Sequence, residues 1–189
     1  NNLARAIKTG IFVPTMQPDY AGYDEVMELH GRETQADIKY DGYRVQIHKG
    51  KQTKIFTRNE NQLLYTCYPD VMQITEKMPK GVFEAELVGD GSNHKSNFEN
   101  VKKRFRRNGI SDESVERYVQ SGIIEQTPLN IRIFDVLRYE GKLIADMPLS
   151  ERRKYVEMID STGVRPSETT IVRNADDLED LLKSTFDAK

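Results

Sequence analysis

The stretch that most constrains the fold is Asp37-Ile-Lys-Tyr-Asp-Gly-Tyr-Arg44, which continues into Val-Gln-Ile-His48. Apolar and polar residues alternate on both sides of the Asp-Gly pair, a pattern typical of two half-buried strands joined by a tight turn. The pattern predicts a hairpin in which Lys39 lies mid-strand and Arg44 lies close to it across the turn. One polar face of this hairpin would then carry a lysine, an arginine and two carboxylates.

Signals for further strands and helices follow along the chain. We expect strands at 53–57, 82–88, 129–137 and 169–173, and helices at 24–30, 69–78, 97–107, 112–121 and 150–159, with a last helix after Asn174. Strands and helices interleave irregularly, and the turns favour hairpins. The fold class is therefore α+β, with mainly antiparallel sheets flanked by helices. A length of 189 residues fits a single domain, 1–189.

Charge and composition limit the partners and the compartment. The net charge is only -2, so an argument for a polyanionic partner must rest on local clusters. Cys67 is the one cysteine, which excludes an internal disulfide and fits a reducing cytosol. No apolar run reaches the roughly 18 residues that a membrane span needs. We expect a cytoplasmic protein without a membrane partner, associated with the nucleoid if the source is a prokaryote.

Lys39 is the first candidate for chemistry. A lysine on a sheet surface is most often a solvated charge, and that interpretation stays open. In the predicted hairpin, however, its stem is packed, Arg44 is a neighbour, and Arg58 approaches from the next strand. Burial and nearby cations both favour the neutral amine, and a neutral lysine can act as a covalent nucleophile.

The same residues carry a family resemblance. Lys39-Tyr-Asp-Gly-Tyr-Arg44 fits the Lys-x-Asp-Gly-x-Arg signature of the covalent nucleotidyltransferases, which include ATP-dependent DNA ligases, RNA ligases and mRNA capping enzymes. Further segments resemble those of DNA ligases in the same order. They are Phe56-Thr-Arg-Asn59, Tyr68-Pro-Asp70, Phe83-Glu-Ala-Glu-Leu-Val88, Asn97-Phe with Arg104-Phe-Arg-Arg107, and Ile133-Phe-Asp-Val-Leu137 followed by Leu149-Ser-Glu-Arg-Arg153. Over about residues 10–160 the chain resembles the adenylation domain of archaeal-type ATP-dependent DNA ligases.

This resemblance implies an activity, with ATP as the AMP donor, Mg²⁺ as the metal ion and nicked double-stranded DNA as the partner. Lys39 would attack the α-phosphate of ATP, hold AMP and pass it to the 5′-phosphate of the nick, which is then sealed. The resemblance also implies that Asp37 reads the adenine amino edge, Arg44 and Arg58 contact ribose and phosphates, Glu86 holds the ribose or Mg²⁺, and Phe134 stacks on adenine.

Each of these residues also has a structural interpretation. Asp37 could simply pair with an arginine, Glu86 could face solvent, and Phe134 lies in a run apolar enough to be core. From the residues alone, these alternatives stay open.

A basic cluster follows in the helix predicted at 97–107. It consists of Lys102, Lys103, Arg104, Arg106 and Arg107. Such a run is usually a solvated helix face, but in a chain of net charge -2 it can equally contact a phosphate backbone. We expect Lys103, Arg104, Arg106 and Arg107, together with Arg44, to bind DNA.

Two later motifs of the family, both with lysines, do not occur in the sequence. The resemblance therefore implies a partial adenylation domain that seals nicks weakly or not at all. The parent chain would supply an OB-fold domain and a helical DNA-binding domain, neither of which we expect here. Two alternatives remain: the core of an RNA ligase or mRNA capping guanylyltransferase, and a ligase-like module that binds nucleotide or nucleic acid without activity.

Overall fold

The computed structural model describes residues 7–16, 18–31, 33–90, 94–105 and 111–187. The chain divides into two compact units. The first unit comprises Asn1–Pro14 and Tyr40–Pro166, and the second comprises Thr15–Lys39 and Ser167–Lys189. Each unit is therefore assembled from two separate stretches of chain.

The secondary structure contains both strands and helices. The strands are β1 (Thr34–Asp37), β2 (Tyr43–Lys49), β3 (Thr53–Thr57), β4 (Gly81–Gly89), β5 (Leu129–Tyr139), β6 (Lys142–Leu143), β7 (Val164–Pro166) and β8 (Thr169–Val172). The helices are α1 (Tyr23–His30), α2 (Pro69–Thr75), α3 (His94–Arg104), α4 (Asp112–Gln120), α5 (Ile123–Gln126), α6 (Leu149–Glu157) and α7 (Ala175–Asp187), with a 3₁₀ turn at Tyr65–Cys67.

A six-stranded sheet forms the centre of the first unit. Its strand order is β3-β2-β4-β5-β6 with antiparallel neighbours, and β7 pairs with β5 in parallel. Side chains alternate across a strand, so one face carries fully buried residues such as Ile47, Phe83 and Ile133. Helices α2 and α6 pack against β5, and α3 packs against β4. Apolar residues of these helices join the same hydrophobic core as that inner face of the sheet.

The second unit is built around a two-stranded sheet. Here β1 pairs with β8 in antiparallel register, from Thr34 opposite Val172 to Asp37 opposite Thr169. Helix α1 contacts β1, α7 contacts β8, and the two helices contact each other. The backbone N–H of Ile38 donates to the carbonyl of Glu168 at 3.0 Å, so the pairing extends one residue past β1.

The predicted hairpin around the Asp-Gly pair is wrong. Strand β1 ends at Asp37, and its partner contains Thr169, which lies 132 residues further along the chain. Strand β2 pairs with β3 and β4 instead. Lys39 therefore follows a strand rather than lying within one, and its side chain is exposed rather than packed. Local alternation indicates a strand, but distant segments decide its partner.

The other predicted elements are confirmed, and the fold class is α+β with mainly antiparallel sheets. The helix predicted at 97–107 begins earlier, at His94, and ends at Arg104. Arg106, Arg107 and the predicted cap at Asn108-Gly109 lie outside the described residues. The short elements α5, β6 and β7 were not predicted. Within the part of the chain that the structure describes, no helix has the length and apolar content of a membrane span.

Candidate functional site

The outer face of the first unit's sheet carries an array of polar residues, which we call the polar face. Its members are Arg44, Gln46 and His48 on β2, Glu84 and Glu86 on β4, and Arg132 and Phe134 on β5. They stand in register across three strands: Arg44 is opposite Glu86, and Glu86 is opposite Arg132. Neighbouring side chains in register lie close enough to interact, so charges of opposite sign alternate along this row.

The guanidinium of Arg44 is held from two sides. Its Nε and Nη2 donate to the same oxygen of Glu84, Oε2, at 3.1 and 3.0 Å. The guanidinium also lies 5.3 Å from the centre of the Phe134 ring. An arginine that is bonded to a carboxylate and lies over an aromatic ring has little rotational freedom. Phe134 is half-buried on the polar face and is not part of the hydrophobic core.

Glu84 is itself braced by Gln46. The Gln46 side-chain N–H donates to Glu84 Oε1 at 2.5 Å, and only 4% of Glu84 is exposed. Burial raises the pKa of the Glu84 carboxyl, while the charge of Arg44 and the hydrogen bonds from Gln46 and Arg44 oppose that rise. Glu84 therefore serves to position Arg44, a role that the family motif does not indicate.

Segment 7–14 of the same unit covers this part of the polar face. Both polar atoms of the Gln46 amide bond the backbone of Val13, at 2.8 Å to its N–H and 3.0 Å to its carbonyl. The N–H of Gly10 donates to Nδ1 of His48 at 3.0 Å, and His48 Nε2 lies 2.7 Å from Gln46 Oε1. Gln46 and His48 are consequently buried, although both are polar.

These contacts require a neutral imidazole at His48, because Nδ1 must accept a hydrogen bond while Nε2 donates one. Burial lowers the pKa of His48 from 6.5 to about 4; a hydrogen bond with the backbone of Lys8 opposes this shift, and the charge of Lys54 adds a smaller contribution to it. As pH falls between these values, the unfolded chain gains a proton at this side chain that the folded chain does not. His48 therefore makes folding less favourable as the pH decreases through that window.

We expect the wild type to lose stability relative to a His48→Gln variant as pH is lowered from about 6.5 to about 4. The difference in the free energy of unfolding should change by about 3 kcal/mol over this range. Urea denaturation of both proteins at several pH values measures it, and other titrating groups cancel in the difference. A difference that does not vary with pH would show that folding does not lower the pKa of His48.

Gly42 of the motif is required for a reason other than the predicted turn. A Cβ atom at this position would lie 2.2 Å from the carbonyl oxygen of Leu87 and 2.7 Å from Cγ of Glu86. No L-residue with a side chain fits without moving β4. Glycine thus permits the close approach of the chain to the strand that carries Glu86.

We expect Gly42→Ala to lower the free energy of unfolding by about 1–3 kcal/mol, the usual cost of overpacking. An Asp41→Ala variant is the matched control, because Asp41 is the exposed neighbour and should change stability by less than about 0.5 kcal/mol. Thermal or urea unfolding compares the two. Equal stability of both variants would contradict the close approach.

Asp37 and Lys39 belong to the second unit. The Asp37 carboxylate accepts hydrogen bonds from the hydroxyl of Thr169 and from the Gln35 amide, the latter at 3.0 Å. Lys39 is exposed. The contacts described for Asp37 include no arginine. Its hydrogen bond with Thr169 instead links β1 to β8.

Arg58 and Glu86 complete the predicted nucleotide-binding residues of the first unit. Arg58 is exposed just after β3, and Glu86 is half-buried on β4. Within the described residues there is no group of three or more histidine, cysteine, aspartate or glutamate side chains that could hold a metal ion. Mg²⁺ is often bound by only one or two carboxylates together with substrate phosphates. Both oxygens of Glu84 are engaged with Arg44 and Gln46, so Glu86 stays the carboxylate that the resemblance predicts for such a partial site.

Arg104 is not part of an exposed basic surface, and this prediction is wrong. Its side chain is fully buried and forms a two-pronged ion pair with Asp70, at 2.7 and 2.9 Å. Its remaining hydrogen bonds go to the carbonyls of Cys67, Ile124 and Thr127 and to the hydroxyl of Tyr118. Burial opposes the charge, but the hydrogen bonds and charge of Asp70 outweigh burial and hold the pKa of Arg104 above its ordinary value. Lys103 is exposed as predicted.

Comparison with known proteins decides the family. Residues 16–189 match the family described as "ATP dependent DNA ligase domain". The chain belongs to this family. It is 30% identical to the DNA ligase of Thermococcus fumicolans over 172 residues, covering 87% of this chain and 29% of that protein. It is 32% identical to the DNA ligase of Saccharolobus solfataricus over 184 residues, covering 92% and 28%.

Solved structures agree at the level of the fold. A mycobacterial DNA ligase D complexed with ATP superposes with a TM-score of 0.54 at 16% identity, over 77% of this chain and 42% of that one. The ligase domain of LigD from M. tuberculosis gives the same TM-score at 17% identity. The chain is therefore an ATP-dependent DNA ligase adenylation domain in sequence and in fold, and it spans under a third of the length of its archaeal relatives.

Proposed function

We propose that this ligase domain catalyses adenylation, with Lys39 as the nucleophile. The neutral Nζ of Lys39 bonds to the α-phosphorus of ATP, the bond to the bridging oxygen breaks, and pyrophosphate leaves with that electron pair. Loss of a proton from nitrogen leaves lysyl-AMP as a phosphoramidate. The position of Lys39 in Lys39-Tyr-Asp-Gly-Tyr-Arg44, within the span that matches the ligase family, is the observation that carries the proposal.

Two further steps would complete sealing in the whole protein. An oxygen of the 5′-phosphate at a DNA nick attacks the phosphorus of AMP, the P–N bond breaks, and the nitrogen of Lys39 takes up a proton as it leaves. The 3′-hydroxyl then loses its proton and attacks the activated 5′-phosphate, the phosphodiester forms, and AMP leaves with the electron pair of the broken P–O bond. The relatives are named DNA ligases, which supports nicked double-stranded DNA as the partner. Since the chain covers only 29% of one such relative, other domains would contribute to DNA binding.

The polar face supports binding of the nucleotide. Arg44 is held in one orientation by Glu84, so it can meet a phosphate or ribose oxygen without first being ordered. Phe134 would stack on adenine, with a contribution of roughly 1–3 kcal/mol in comparable base-stacking cases. Asp37 would read the adenine amino edge, and the exposed Arg58 would contact the phosphates.

Glu86 and Lys103 would have ligand roles of different kinds. Glu86 would hold Mg²⁺ or the ribose hydroxyls, since its carboxylate is half-buried on the polar face. Bound Mg²⁺ would supply charge neutralisation for the triphosphate. Lys103 would contact the DNA backbone from α3, with Arg106 and Arg107 as further candidates.

Incubation with ATP or GTP labelled at the α-phosphate, with and without Mg²⁺, tests the proposal. We expect acid-labile label on the protein from ATP and none from GTP. Label from GTP would indicate a capping guanylyltransferase instead. Binding of ATP without any label would indicate a nucleotide-binding module. After labelling, transfer of AMP to nicked DNA rather than to nicked RNA separates DNA ligase from RNA ligase.

A further inference from the structure

Arg132 occupies a position on the polar face to which the family signature assigns nothing. Strand β5 places it opposite Glu86 on one side and opposite Arg165 of β7 on the other. Together with Arg44 beyond Glu86, the row contains three arginines and one glutamate. In a chain of net charge -2, this row is a local concentration of positive charge.

The Nε–H of Arg132 is buried and has no hydrogen-bond partner among the residues that the structure describes. This is unusual, because most buried polar atoms are paired, and an unpaired donor is unfavourable. Arg44 in the same row differs, since its Nε donates to Glu84. A buried donor kept without an acceptor is explained if a ligand supplies that acceptor.

The position of the Arg132 guanidinium also suits a ligand. It lies over the ring of Tyr40, 5.7 Å from the ring centre, and Tyr40 directly follows Lys39 in the sequence. Stacking on an aromatic face uses the plane of a guanidinium and leaves its edge for bonds within that plane. Phosphate oxygens match the spacing of this edge, so they can accept two parallel hydrogen bonds.

We propose that Arg132 binds a phosphate group of the substrate, with the exposed Arg165 adding charge beside it. The phosphate belongs either to the nucleotide or to the 5′ end at a DNA nick. The identity of the substrate in this inference rests on the proposed function. The binding of a phosphate group does not, because it is argued from Arg132 itself. Arg132 would be a specificity-determining residue, because it favours substrates with a phosphate at this position.

The test uses Arg132→Met, which removes the charge, and Arg132→Lys, which keeps the charge but removes Nε. Arg117→Met is the matched control, since Arg117 is exposed on α4. Binding is measured by calorimetry for AMP and adenosine, and for nicked duplexes with a 5′-phosphate or a 5′-hydroxyl. AMP and adenosine form one pair of ligands, and the two duplexes form the other. In one of these pairs, we expect Arg132→Met to weaken binding of the phosphorylated ligand by about tenfold or more and to leave binding of the unphosphorylated ligand unchanged. Arg132→Lys should recover part of the loss, and Arg117→Met should cause none.

The affected pair identifies the source of the phosphate. The proposal is overturned if Arg132→Met changes the affinities of both ligands of a pair equally, or changes no affinity in either pair, while circular dichroism and unfolding show an intact fold. If the wild type binds neither nucleotide nor DNA, the proposed function fails, and inorganic phosphate becomes the probe. We then expect phosphate to shift the ¹⁵N NMR signal of Arg132 Nε, identified by its loss in Arg132→Met. An unshifted signal would overturn the inference independently of the proposed function.

Discussion

Replacing Lys39 by alanine is expected to abolish the covalent label from ATP and to leave the stability of the protein almost unchanged. The side chain is exposed, so its truncation should alter the free energy of unfolding by less than about 0.5 kcal/mol. Its nitrogen, however, is the atom to which AMP would be bonded, so the variant lacks the atom that forms this bond. Labelling with α-labelled ATP, followed by acid treatment and gel electrophoresis, measures the first effect. Urea denaturation measures the second.

Lys51→Ala is the matched control for Lys39→Ala. Lys51 is also exposed and lies in the turn between β2 and β3, so its removal should affect neither label nor stability. Acid-labile label that persists on Lys39→Ala would reject Lys39 as the nucleophile. A large loss of stability in Lys39→Ala would show that the lysine has a structural role that its exposure does not reveal.

Replacing Asp70 by alanine is expected to lower the free energy of unfolding by about 3–5 kcal/mol, the usual cost of removing one partner from a buried ion pair. Arg104 is fully buried, and its charge would remain in the protein interior without a counter-ion. Three backbone carbonyls and the Tyr118 hydroxyl would still accept hydrogen bonds, but none of them carries a charge. Urea denaturation with a two-state fit measures the change.

Two further variants separate burial of the charge from loss of contact. Glu157→Ala removes the partner of Arg153 in an ion pair whose glutamate is 55% exposed, and it should cost only about 0.5 kcal/mol. An Asp70→Leu/Arg104→Met double variant should recover much of the stability lost in Asp70→Ala, because it leaves no unpaired charge. A double variant no more stable than Asp70→Ala would mean that the hydrogen bonds of Arg104, rather than its charge, dominate.

The sequence predicts the central strands well, because their alternation reflects one apolar and one polar face. Ile47 and Phe83 lie on the inner face, and Arg44 and Glu84 lie on the outer one. Strand partners are harder to predict. The Asp-Gly signal suggested a hairpin, whereas Gly42 is needed for its close approach to Leu87, a contact that depends on a segment far away in the chain.

The candidate site was predicted in part. The family signature identified Arg44, Glu86 and Phe134, and all three lie on the polar face. It did not identify Glu84, which accepts two hydrogen bonds from Arg44, or Gln46, which donates a hydrogen bond to Glu84. The signal available in the sequence was Gln46 and His48, two polar residues at alternate positions of the central strand β2. Such residues become buried only when another segment covers them.

The basic run on α3 shows a limit of charge counting. Arg104 lies one helical turn after Val101, and both are fully buried. Helical spacing from an apolar residue was thus the signal that one cation of the run faces inwards. Its partner Asp70 lies 34 residues earlier, and no residue within the basic run indicates that Arg104 forms an ion pair with a distant carboxylate.

The pairing of β1 with β8 has a consequence for synthesis on the ribosome. The strand that precedes Lys39 emerges early, but Thr169, which hydrogen-bonds Asp37, lies 132 residues later. At about 5–20 residues per second, translation of this interval takes roughly 7–26 s. During that time β1 lacks its partner and exposes an open edge to other nascent chains or chaperones. Residues Tyr40–Pro166, the longer stretch of the first unit, are translated within the same interval, so we expect this stretch to collapse before the strand that precedes Lys39 pairs with β8.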